Sequence, residues 1–144
     1  MKQIIIALLV ALTATGAYAQ KTSELRYNYV MKNLKLDKAT ATKAGPVIKS
    51  FIKEMKDAGD IYDDVKDKYK SDIKNGTLTN KQAASLNQAK VESATKEAAV
   101  KSTYYTKFKQ VMSEKQTFLC FRLCADKKSK FVESKKSNSE EDED

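Results

Sequence analysis

The chain has no histidine and no tryptophan, one proline, four glycines and two cysteines in 144 residues. Without histidine there is no Ser-His-Asp or Cys-His nucleophile system and no imidazole-ligated metal. Four glycines supply neither a dinucleotide fingerprint nor a phosphate-binding loop, and neither pattern occurs. So few turn formers favour long uninterrupted helices. Strict polar/apolar alternation over more than four residues is missing, so no strand is expected. What the chain does have is charge: 27 Lys plus Arg against 19 Asp plus Glu, a formal net of +8, beside an apolar fraction of 41%. That balance suits amphipathic helices rather than disordered chain, and the length allows one domain. The composition points to a helical binding or interaction protein and away from an enzyme. No catalytic, cofactor-binding or metal-binding residue is assigned, and no cofactor is expected.

The two ends differ from the middle. Lys2, the apolar run Ile4 to Val10 and Ala17-Tyr18-Ala19 make a secretory signal peptide over 1–19, with cleavage expected before Gln20. The strongly apolar stretch is shorter than the roughly 20 residues of a bilayer span. Gln at position 20, where a lipoprotein carries Cys, argues against a lipid anchor. The product is expected to be exported and not membrane-spanning, with a bacterial periplasm the first compartment and secretion the alternative. At the other end Glu140, Glu141, Asp142, Glu143 and Asp144 form an acidic run. With the leader and these five set aside, 26 basic and 14 acidic residues leave a body of +12. Residues 134–144 read as a disordered acidic tail, either solvating the chain or folding back on the basic body.

Residues 20–133 read as the helical domain. A short helix is expected over about 23–35. Asp37 is placed to cap a long helix reaching about Lys74, with Val47, Phe51, Met55, Ala58, Tyr62, Val65 and Tyr69 on one stripe. Pro46 either kinks this helix or marks its first turn. Asn75-Gly76 is a stop signal. Thr79 and Gln82 form a capping box opening a third helix to about Met112, with Val91, Ala94, Ala98, Tyr105, Phe108 and Met112 on its apolar stripe. Ser113 and Gln116 repeat the box before a last helix through about Val132. The expected fold is all-α, three to four helices, with a long antiparallel helical hairpin and short flanking helices.

The boundaries Leu36-Asp37-Lys38-Ala39-Thr40, Leu78-Thr79-Asn80-Lys81-Gln82 and Met112-Ser113-Glu114-Lys115-Gln116 share a pattern. Together with the leader and the basic body, they resemble the Spy/CpxP-like family of periplasmic helical proteins, marked by a repeated Leu-Thr-x-x-Gln. The middle copy matches in full. The last keeps Gln116, and the first has Asp37 for Thr and Thr40 for Gln. The resemblance spans roughly residues 25 to 131. It implies a homodimer of bent hairpins with a basic, partly apolar concave face. It also implies an ATP-independent chaperone acting on unfolded envelope proteins, or a regulatory partner of an envelope stress sensor. Relatives that hold zinc, nickel or cobalt do so through His, which this chain lacks.

A chaperone that holds clients without ATP needs long-range attraction and scattered apolar contacts. Phe51, Met55, Tyr62, Tyr69, Tyr104, Tyr105 and Phe108 are the candidate client-binding residues, with Phe118 and Phe121 as further rings. Each has ordinary interhelix packing as its alternative. Binding to anionic envelope polymers or lipids is a third reading, and nucleic acid is excluded by the export signal. Asp57, Asp60, Asp63, Asp64 and Asp67 alternate with lysines and read as a salt-paired surface. Cys120 and Cys124 are four apart on the last helix. Three readings of them stand: packed reduced thiols, a bridge between chains, or a thiolate metal site completed by a second chain.

Overall fold

The computed structural model describes residues 21–131. The leader over 1–19 and the acidic tail over 134–144 lie outside them. Six helical segments make up the described chain, with no strand among these residues. Helix α1 covers 21–34 and stops where Lys35 takes a left-handed conformation, φ 48°. Asp37 caps α2 (Lys38–Lys68), its carboxylate accepting from the Thr40 amide at 3.1 Å. Pro46 lies inside α2, two turns from its start, rather than at its first turn.

The count exceeds the expected three to four because two helices break. Tyr69 leaves helical geometry at φ −106°, ψ 16°, and its amide turns to the carbonyls of Val65 and Lys66, separating α2 from α3 (Lys70–Asn75). The last helix divides at Ala125 into α5 (Glu114–Cys124) and α6, which starts at 128 and is helical through 131. Gly76 ends α3 in the left-handed conformation, φ 68°, where a side chain would be strained. Asp72 ties the following turn together, accepting from the Thr77 hydroxyl at 2.9 Å and the Gln82 amide group at 3.0 Å.

Helix α4 (Asn80–Lys109) returns antiparallel along α2. Phe51 meets Tyr104 and Phe108, Gly59 lies beside Glu97, and Asp72 bonds Gln82, so rising numbers on one strand of the hairpin meet falling numbers on the other. Toward the Gly76 turn the seam is closed by small residues, with Ala58, Ala89 and Ser93 buried. The expected stripe of α4 is displaced. Its buried face is Leu86, Ala89, Ser93, Val100, Tyr104 and Phe108, while Val91 is 68% exposed and Ala94, Ala98 and Tyr105 face outward. The faces of α4 differ little in polarity, so packing decides the seam rather than the helix's own pattern.

The larger side chains gather at the opposite end. Phe51, Tyr104, Phe108 and Phe121 form a ring cluster with centroids 5.3–5.9 Å apart. Ile48, Ile52, Val100 and Met112 extend it, and Val30 and Leu34 of α1 and Cys120 and Cys124 of α5 close it. Helix α1 comes close to α2 at Gly45, where an added Cβ would stand 2.9 Å from the Tyr27 hydroxyl. It is fastened to the far end of the described chain by three contacts. Arg26 donates to the Cys124 carbonyl, Tyr29 donates to Asp126 at 2.7 Å, and the Arg26 guanidinium lies 5.0 Å from the centre of the Phe131 ring.

Both capping boxes are closed in each direction. The Thr79 hydroxyl accepts from the Gln82 amide at 3.2 Å and Gln82 returns a bond to the Thr79 amide at 2.8 Å. Ser113 and Gln116 do the same at 3.2 and 2.9 Å. Thr79→Ala and Ser113→Ala should each lower unfolding free energy by about 1 kcal/mol. The two boxes flank a 30-residue helix, about 45 Å long, so the losses should add in the double variant. Urea denaturation of the two single variants and the double variant checks this.

Candidate functional site

The packing of α1 and α5 across one end of the hairpin leaves an open groove of about 890 Å³. Phe51, Ile52, Met55 and Phe121 line it from the core side, with Cys124 beside them. Its charged lining comes from four helices: Arg26 of α1, Lys56, Asp60 and Asp63 of α2, Glu97 and Lys101 of α4, and Arg122 of α5. Four cations and three carboxylates therefore share the lining, so it is mixed in sign rather than uniformly basic. Lys56 pairs with Asp60, and Lys101 stands 3.9 Å from Glu97. Exposed pairs of this kind contribute well under 1 kcal/mol and are easily exchanged for a ligand's charges.

Two rings project where the groove meets solvent. Phe118 is 65% exposed although its neighbours Thr117 and Cys120 are buried. Tyr105 is 41% exposed and bridges α4 to the first turn of α5, its hydroxyl donating to Glu114 at 3.2 Å with Lys109 over its ring at 4.4 Å. That bond to a carboxylate raises the Tyr105 pKa.

The candidate client-binding residues divide by burial. Phe51, Tyr104 and Phe108 are 2%, 1% and 0% exposed. They form the aromatic core, so their rings are unavailable to a client and they are corrected to structural residues; Phe51 only touches the groove from beneath. Met55 is half-buried and lies in the groove. Tyr62 is half-buried further along α2 with Lys66 near its ring, and Tyr69 sits at the α2–α3 break with Lys68 above it. Neither reaches the groove lining. Tyr105 does. Of the candidate residues, Met55, Tyr105, Phe118 and Phe121 line the groove together with Ile52, and its charges come from four separate helices.

The Tyr104 hydroxyl donates to Glu54 at 2.6 Å, and burial together with that carboxylate pushes its pKa up to about 12. Asp126 is held below the usual carboxylate range by the Tyr29 hydroxyl and Lys130. The aspartates of α2 are salt-paired in part, Lys53 reaching Asp57 at 2.8 Å. Both cysteines are free and buried, and the Cys120 thiol is pushed up by its Cys124 neighbour and by burial. Among the described residues no helix is long and apolar enough to cross a membrane.

No family model, no curated protein and no solved structure matches this chain.

Proposed function

We propose that this protein is an exported, ATP-independent holdase that retains segments of non-native protein in the groove between its hairpin and its flanking helices. The observation that carries the reading is the combination of an apolar floor, a lining of both charge signs and a Phe118 ring 65% exposed at the mouth. Unfolded segments offer apolar side chains and charges in no fixed order. A groove with Met55 on its floor can adapt to them, because an unbranched thioether repacks at little cost. The basic excess of the chain raises encounter rates with acidic clients and weakens with salt. The likeness of its capping boxes to the Spy/CpxP-like repeat is a further support, and the export it implies is part of the proposal.

The test is aggregation of a denaturing protein followed by light scattering, without nucleotide. Near-stoichiometric protection is expected. Phe118→Ser removes exposed apolar area from the groove mouth, so it should weaken client affinity roughly fivefold, about 1 kcal/mol. Folding stability should change by less than about 0.5 kcal/mol, as for surface sites generally. Absence of protection at every ratio and salt concentration defeats the proposal. Capture of one strong partner from envelope extracts, in place of many weak ones, would assign the groove to a dedicated regulator.

A further inference from the structure

We propose that Cys120 and Cys124 form a two-coordinate site for one soft monovalent metal ion, chemically a cuprous ion. The pair lies on the buried stripe of α5. Thr117, Cys120 and Cys124 follow one another at spacings of three and four, and all three are buried. The same stripe holds an unexplained polar group. The Thr117 hydroxyl is 1% exposed and its oxygen has no hydrogen-bond partner among the described residues. A buried hydroxyl left alone costs about 1–3 kcal/mol. A Cys120 thiolate, three residues on along the same face of α5, would be an acceptor for that hydroxyl.

Geometry excludes the simpler fate of two neighbouring thiols. Residues four apart on a helix hold their Cβ atoms about 5–6 Å apart, whereas a disulfide needs about 3.5–4.5 Å. Bridging the pair would therefore require unwinding the last turn of α5. A metal ion avoids this. Two metal–thiolate bonds of the zinc–sulfur length, about 2.3 Å, would set opposed sulfurs about 4.6 Å apart, a span that Cβ atoms about 5–6 Å apart accommodate in an intact helix.

The donor set selects the ion. Calcium takes six to eight oxygens and zinc four donors. The chain has no histidine, and no group of three or more His, Cys, Asp or Glu suited to a metal occurs among the described residues. Two thiolates alone satisfy an ion that accepts two soft ligands, and thiolates favour cuprous copper. Entry is from the Cys124 side, which lines the groove together with Met55, while Cys120 is fully buried. On binding, two S–H bonds break, two S–metal bonds form and two protons pass to solvent. The bis-thiolate complex carries one negative charge. The Arg26 guanidinium, bound to the Cys124 carbonyl, is the cation placed to balance it.

The experiment uses the full chain, reduced and kept anaerobic, competing for cuprous ion against a coloured chelator. One ion per chain is expected, with Cys120→Ser and Cys124→Ser each weakening retention at least about tenfold to a hundredfold and zinc failing to bind. X-ray absorption should show two sulfur neighbours. Circular dichroism checks that the variants remain helical. Should either unfold, the unaltered protein decides the matter: its thermal midpoint must rise with cuprous ion and stay constant with zinc. Retention equal to that of the double serine variant, one ion shared between two chains, or an unchanged midpoint overturns the site.

Discussion

Phe51→Ala is expected to lower the unfolding free energy by about 3–5 kcal/mol, the range for truncating a fully buried ring. Phe51 is 2% exposed and contacts Tyr104, Phe108 and Phe121 at once, each pair tilted or edge-on at 5.3–5.5 Å. Such aromatic pairs add about 0.5–1.5 kcal/mol each to the burial itself. Three helices meet at this one ring, α2, α4 and α5, so no single neighbour can relax to fill the space. The loss is a large share of the about 5–15 kcal/mol that holds a domain of this size. Urea denaturation should show a lower midpoint with an unchanged slope. A loss below about 1 kcal/mol would mean that the ring cluster does not join the flanking helices to the hairpin.

Stability should also fall steeply in alkali, and Tyr104 should account for much of the fall. In the folded chain its pKa stands near 12, above the unfolded value of 10.0, because burial and the Glu54 carboxylate favour the neutral phenol. The neutral form is therefore bound more tightly by the native state. Its contribution is complete below pH 10 and is lost as pH climbs toward about 12, while the unfolded chain ionises freely. A displacement of this size sets an upper bound of roughly 2–3 kcal/mol, reduced by solvent screening at the hydroxyl. Tyr104→Phe cannot ionise and should show a shallower decline across that window, although it starts slightly less stable for want of the bond to Glu54. Parallel curves for the two proteins between pH 9 and 12 would remove Tyr104 as the cause.

Helix ends were legible wherever a side chain itself performs the capping. Asp37, Thr79 with Gln82, Ser113 with Gln116, and the Gly76 stop each carry their chemistry within four residues. The break at Tyr69 was not, because it depends on a backbone amide turning to earlier carbonyls and no residue type announces that. The face of α2 was legible in part. Phe51 and Ala58 lie on the expected stripe, but Ala44, Ile48 and Ile52 extend the buried side beyond it. On α4 the seam includes Ser93 and a position taken by Glu97, so hydropathy alone favoured the neighbouring stripe through Val91 and Tyr105. The groove was illegible for a different reason. Arg26 and Arg122 lie at opposite ends of the described chain and become neighbours only after α1 and α5 have docked on the hairpin.

That docking fixes how the molecule bears mechanical load. Arg26, Tyr29 and Phe131 clasp the two ends of the described chain at one pole, opposite the Gly76 turn. Tension applied between residues 21 and 131 would unzip these contacts one after another, at low force, before the long seam felt any strain. Tension from the Gly76 turn against that pole would instead stretch α2 and α4 lengthwise, side by side, and meet much greater resistance.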